Sequence, residues 1–314
     1  MLATSDFTEI ANRMNLIRTV KVLKHEKLLV VRPPSSAKGG WGEQAKKKLG
    51  ISVEFTDYKR ILDRYALQDE RSVKDLASSW IRNAERVVEP KEAEIEKSAR
   101  LYLACKDVMQ DHKATAITID CLGGFSRNDL PAYPCLAFAQ LNDEGAMGVC
   151  EADVKTAIAQ ILVKTLTSRP GFVTDPLFDT SKDLIIHAHC VSATRLDGPH
   201  APAAPYRIRS HMEDNKGASL QVRMEVGKEV TMVNFLDAAL DKVLCSAGTI
   251  VDTPDSERGC RTKISTRVKN CRYMLENWEG GLHRVVVYGN IIEDLRNLGK
   301  LLQFGIKRED IPSG

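Results

Sequence analysis

Six residues combine a reactive side chain with an informative setting: Glu151, Asp153, Asp175, His187, His189 and His283. Cys150-Glu151-Ala152-Asp153 places acidic groups where an apolar run stops and a helix is predicted to begin, so that Glu151 sits at a rigid strand end facing a crevice. Helix capping is the competing explanation. Asp153 suits it, because an Asp at a helix start accepts a backbone N–H bond worth about 1 kcal/mol. Asp175 lies in Gly171-Phe172-Val173-Thr174-Asp175-Pro176, and an Asp before Pro reads as a turn residue. His187 and His189 alternate in Ile185-Ile186-His187-Ala188-His189-Cys190, so in a strand both rings point to one face. Such a pair can hold a metal or serve as a hydrogen-bonded structural feature. His283 follows Glu279-Gly280-Gly281-Leu282, where paired glycines permit close backbone approach, and it too reads as structural when taken alone.

Other candidates have sufficient ordinary explanations. Glu213-Asp214-Asn215-Lys216-Gly217 is a polar turn, and Glu293-Asp294 opens a helix whose dipole favours negative charge. Gly39-Gly40-Trp41-Gly42 has neither a Walker lysine nor the dinucleotide-binding glycine spacing, and no G-x-S-x-G elbow occurs.

The elements that must position the six residues follow from periodicity. A helix is predicted over the first 26 residues, with Ile10, Met14, Ile17 and Val20 near the spacing of one face. Lys27 to Val31 is a buried strand, Pro33-Pro34 and Gly39-Gly40 bracket a loop, and a helix to Leu49 precedes a strand at 51–55. Asp57 to about His112 is helical, broken near Asp69 and at Pro90. Ala116 to Ile119 is a strand ending in Asp120 and a Gly123-Gly124 turn. A helix around Cys135 to Leu141, a strand from Met147 to Cys150 and a helix from about Asp153 to Leu166 follow. This alternation predicts a mostly parallel, Rossmann-like sheet with ligands at the carboxyl ends of its strands. After the breaker Ser168-Arg169-Pro170-Gly171 come short runs at Leu184 to Ala188, Tyr206 to Arg209, Leu220 to Val226, Val230 to Phe235 and Val285 to Tyr288, then an amphipathic helix from Ile292 to Phe304. We therefore expect an α/β chain of two domains: 1–168 with the parallel sheet, and 169–314 with an antiparallel or barrel-like sheet.

Composition narrows the function classes. The 314 residues carry 45 Lys plus Arg against 42 Asp plus Glu, interspersed, with no extended basic stripe to hold a phosphate backbone, so nucleic acid is not an expected partner. No apolar run approaches the roughly 20 residues that span a bilayer, and no secretory signal opens the chain, so a membrane is not expected and a cytoplasmic location is. The eight cysteines are scattered without a C-x-x-C pair and read as free thiols.

Four segments in order resemble the L-fucose and L-arabinose isomerases. Gly145 to Ala157 looks like the stretch in which a Glu opens an E-x-D tripeptide before a helix, and Asp175 falls at the position of the second metal-binding carboxylate. Here the pattern is closer to the fucose isomerases, since the arabinose enzymes use Glu in that role. Asp183 to His189 resembles the next segment, whose His lies near the metal. Gly281 to Asn290 followed by Asp294-Leu295 is similar to the terminal ligand motif, with His283 as the imidazole and Arg284 where a second His is frequent.

The resemblance implies a metal-dependent aldose-ketose isomerase acting through a cis-enediol. It implies that Glu151, Asp175 and His283 hold Mn²⁺ or another divalent cation, that Glu151 and Asp175 move the proton, and that His189 supports the site or contacts substrate. It implies a monosaccharide substrate, a homo-oligomer, and an additional N-terminal α/β domain that this chain lacks. The rival readings are a non-catalytic metal- or sugar-binding relative, and a metal-dependent epimerase or aldolase on the same centre.

Overall fold

The computed structural model describes residues 4–34 and 40–312. The loop expected between Pro33-Pro34 and Gly39-Gly40 thus falls mostly outside the described residues, at 35–39.

In chain order the first part comprises α1 (Phe7–Leu23), β1 (Lys27–Val31), α2 (Trp41–Leu49), β2 (Ser52–Thr56), α3 (Tyr58–Ala66), α4 (Glu70–Asn83), β3 (Arg86–Val87), α5 (Glu92–Asp111), β4 (Ala116–Ile119), α6 (Cys121–Ser126), α7 (Cys135–Asp143), β5 (Met147–Cys150) and α8 (Val154–Thr167). Strands β2, β1, β4 and β5 pair in that order, all parallel. The central and C-terminal members are almost wholly apolar and buried, as strands covered on both faces by helices must be. Aspartates start several of the helices: Asp6, Asp57, Asp69 and Asp153 accept backbone N–H bonds of the first turn.

The second part comprises β6 (Phe172–Asp179), β7 (Leu184–His189), β8 (Tyr206–Arg209), β9 (Ser219–Val222), β10 (Glu229–Phe235), β11 (Lys242–Asp252), β12 (Thr262–Val268), α9 (Cys271–Glu276), β13 (Arg284–Tyr288), α10 (Ile292–Leu302) and β14 (Gly305–Arg308). Strands β10, β13, β6, β7, β12 and β11 form an antiparallel sheet that the β10–β11 pairing closes into a barrel, and β14 adds to β11 in parallel. A small sheet, β3-β8-β9, joins the two parts. Two apolar clusters also cross between them: one holds Trp80 and Ile119 with Ile264 and Val286, the other Val30 and Ile158 with Val233 and Val285. The chain is therefore mixed α/β with a parallel sheet and a closed antiparallel barrel, as its patterning predicts.

Local differences have identifiable causes. The predicted face of α1 is the exposed one: Met14 and Ile17 are 65% and 64% exposed, while Leu16, Thr19 and Leu23 are buried. The helix offers two apolar stripes, and polar contacts select between them, since Asn15 and Arg18 donate to the Leu166 and Thr165 carbonyls at the end of α8. Gly123-Gly124 lies within α6, whose first turn Asp120 caps by accepting from Gly123 N–H at 3.2 Å. The run predicted at Leu220 to Val226 stops at Val222, and α10 ends at Leu302 because Gln303 is left-handed. Strands β11, β12 and β14 have no counterpart in the sequence reading. In β11 and β12 the buried positions include Ser246, Thr262, Ser265 and Thr266, so the apolar alternation that marks a strand is masked.

All eight cysteines are free. Among the described residues no helix is long and apolar enough to cross a membrane.

Candidate functional site

Glu151 follows the last residue of β5, at the carboxyl end of the parallel sheet. Both Glu151 and Ala152 are left-handed, with φ of 68° and 48°, an uncommon state for side-chain-bearing residues. The kink is held by Ala152 N–H donating to the Ile119 carbonyl of β4 at 3.0 Å, and by Asp153 beginning α8. Asp153 accepts from Thr156 N–H at 3.1 Å and from the Thr156 hydroxyl at 2.6 Å.

Asp175 is in strand β6, not in a turn. The turn expected from Asp-Pro is overridden because β13 flanks β6 only through Thr174, while β7 continues alongside to Asp179. Pro176 therefore sits where one edge of the strand has no partner, and its missing N–H costs no ladder bond.

His283 immediately precedes β13. Its backbone carbonyl accepts from Asn234 Nδ2 at 2.7 Å, and the same amide donates to Thr156 at 3.0 Å, so one buried side chain ties the His283 loop to the start of α8. Arg284 points away into full burial. It stacks over Trp278 at 3.7 Å from the ring centroid, pairs with Glu309, and donates to the carbonyls of Glu279, Gly281 and His283. The residue that departs from the resembled motif thus fixes the loop that presents His283.

These elements bring Glu151, Asp175, His189 and His283 together. His283 Nε2 lies 3.4 Å from Glu151 Oε2 and 3.3 Å from Asp175 Oδ1, and His189 Nε2 lies 3.6 Å from Glu151 Oε1. One donor atom each from Glu151, His189 and His283 falls within 4.8 Å of the others. Asp175 Oδ1 and His283 Nε2 are buried and have no hydrogen-bond partner. Two such atoms aimed at one point, among carboxylates and imidazoles, fit a divalent cation of the hard or borderline class.

The electrostatics separate the two carboxylates. The neighbouring His189 and His283 rings hold Glu151 well below the usual carboxylate range, against the opposing effect of burial. Burial raises Asp175, with the neighbouring histidines only partly offsetting it. Burial disfavours a charged His283, but Asp153 and Glu151 outweigh it and raise the ring to about 10.

The two histidines of β7 separate as well. His187 is fully buried, hydrogen-bonded to Thr174 and Thr266 at 3.0 Å each, and pushed down to about 3 by burial, with nearby Arg284 adding to the effect. It takes no part in the cluster. The sequence reading gave Asp153 only a capping role; its contact with His283 Nδ1, at 2.8 Å, crosses 130 residues and has no local signal beyond the E-x-D spacing.

No family model matches the chain. It is similar to the sulfoquinovose isomerases of Priestia aryabhattai and of Priestia megaterium (strain ATCC 12872 / QMB1551), each 23% identical over 313 residues that cover 95% of this chain and 68% of the relative. Sulfoquinovose isomerase of Alkalicoccus urumqiensis is 20% identical over 220 residues, covering 68% of this chain and 49% of that one. Along nearly its whole length, then, the chain is similar to proteins named as sugar isomerases.

Proposed function

We propose that the chain is a metal-dependent aldose-ketose isomerase acting on a monosaccharide through a cis-enediol. The observation that carries this reading is the convergence of Asp175 Oδ1 and His283 Nε2, both buried and unpartnered, beside Glu151. Glu151, Asp175 and His283 would hold the cation, for which Mn²⁺ suits the mixed oxygen and nitrogen donors. When bound it supplies Lewis acidity at the sugar carbonyl, which lowers the barrier to removing the proton on the adjacent carbon.

The chain's own residues account for the proton transfers. Glu151, held ionised by its two histidines, is suited to take the proton from C2 of an aldose. Asp175, the second carboxylate, would exchange the proton at the opposite end of the same step, and either carboxylate can act as acid or base. The carbonyl oxygen gains a proton as the enediol forms, and the ketose results when a proton is returned to C1 and the hydroxyl on C2 loses its own. His189 accepts from Val191 N–H at its Nδ1, at 3.3 Å, so its Nε2 carries hydrogen and points at Glu151 as a donor. This assigns it orientation of Glu151 or of a sugar hydroxyl, not metal ligation.

In this reading residues 1–168 form a Rossmann-like domain and 169–314 the barrel domain, with the site between them, and the active form is a homo-oligomer. We read the E-x-D pattern and Asp175 as more similar to the fucose than to the arabinose isomerase pattern, and the names of its relatives make sulfoquinovose the first substrate to try.

The test is incubation of the purified protein with Mn²⁺ and a panel of aldoses and ketoses including sulfoquinovose, with products identified by NMR. Formation of the paired ketose or aldose supports the proposal. Metal binding by calorimetry without turnover favours a binding protein, and inversion at a carbon without carbonyl migration favours an epimerase. Absence of metal binding near neutral pH ends every reading built on this centre.

A further inference from the structure

We propose that Asp153 is a positioning residue that sets the tautomer of His283 and thereby makes Nε2 a metal ligand; this rests on the metal reading above. An imidazole can coordinate through one nitrogen only while its proton sits on the other, and the partner at the far nitrogen decides which. His283 Nδ1 lies 2.8 Å from Asp153 Oδ2, an oxygen that can only accept, so a proton belongs on Nδ1, and Nε2, which faces Glu151 and Asp175, is the nitrogen left to bind a cation held by those carboxylates. Asp153 is itself immobilised, because Thr156 N–H and the Thr156 hydroxyl both donate to its carboxylate. His189 supplies an internal contrast. Its Nδ1 receives a backbone N–H, which leaves the opposite tautomer and a donor at Nε2. Two rings whose centroids are 5.9 Å apart are thus set to opposite roles by what stands behind them.

Capping and positioning are separable because Asn and Ser both cap helices about as well as Asp. In D153N the amide oxygen keeps the Thr156 N–H bond while the amide nitrogen faces His283 Nδ1, favouring the proton on Nε2. In D153S the hydroxyl caps but falls short of the ring, leaving the tautomer unconstrained. Both variants lose the same charge. Mn²⁺ titration by calorimetry, with cooperative melts and helix content measured alongside, should show affinity falling by about 10-fold in D153S and about 100-fold in D153N. Equal affinities in the two variants reduce Asp153 to its charge and overturn the proposal, as does parental affinity in either.

Ring-nitrogen NMR of the parent loaded with diamagnetic Zn²⁺ gives a readout independent of the variants. A proton on His283 Nδ1, assigned by its loss in H283Q, is expected; one on Nε2 overturns the proposal even where a variant fails to fold. A parent that binds neither metal instead overturns the isomerase reading on which the proposal stands.

Discussion

The middle of strand β7 and the loop before β13 each hold a buried histidine, and they treat it in opposite ways. His187 has a threonine hydroxyl at each ring nitrogen and is pushed down to about 3, so it is neutral and saturated. His283 has a carboxylate at Nδ1 and a buried Nε2 without a hydrogen-bond partner, and the acidic groups around it raise the ring to about 10. Burial is common to both; what differs is whether every polar atom has a partner. Saturation marks architecture here, and an unsatisfied atom pointing at other unsatisfied atoms marks chemistry.

The largest effect that would break this contrast is at Glu151. E151Q should lower turnover by about 10²–10⁴-fold with the fold intact by circular dichroism, and activity within about tenfold of the parent would remove Glu151 from the reaction. Next, H283Q should abolish Mn²⁺ binding by calorimetry while H187Q leaves it unchanged; the reverse pattern would place the metal at His187.

Thr174 tests saturation directly. T174V strips one ring nitrogen of His187 and the carbonyl of Arg284 of a partner, and should cost about 1–3 kcal/mol in urea unfolding without altering metal affinity. The acid limb of stability gives a further test. His187 titrates near 3 when folded and at about 6.5 when unfolded, so between those values the unfolded chain binds the extra proton. Its contribution is complete above about pH 6.5 and is lost as pH falls towards 3, with the folding equilibrium dropping about tenfold per pH unit. A chemical-denaturation series on H187N should flatten that limb; an unchanged slope would assign acid sensitivity to other groups.

How much was legible in the sequence varies with the kind of burial. Strands β1, β4 and β5 are almost wholly apolar and stand at their predicted limits, because burial on both faces leaves a nearly unbroken hydrophobic run. Strand β12 was not legible, because its buried face is carried by Thr262, Ile264 and Thr266, and the two hydroxyls donate to the Leu220 carbonyl of β9 and the Ile185 carbonyl of the adjacent β7. Glu151, Asp175, His189 and His283 came together as a set only through the resemblance of four ordered segments to the fucose and arabinose isomerases. The local readings of Glu151, Asp175 and His283 were structural and that of His189 was open, and for Asp175 the reading pointed to the wrong element, since the lost edge partner that tolerates Pro176 is a property of the sheet. Asp153 and His283 meet only through folding, so a capping role was all that local pattern could assign to the former.

The two left-handed residues at the end of β5 carry a consequence for how this chain can change. Glycine would adopt φ of 68° and 48° at positions 151 and 152 with almost no penalty, whereas Glu and Ala each pay about 1–2 kcal/mol. Selection for thermal robustness alone would therefore drive this corner towards Gly-Gly and erase the carboxylate. A design campaign scored on melting temperature would make the same trade, improving the fold by dismantling the site.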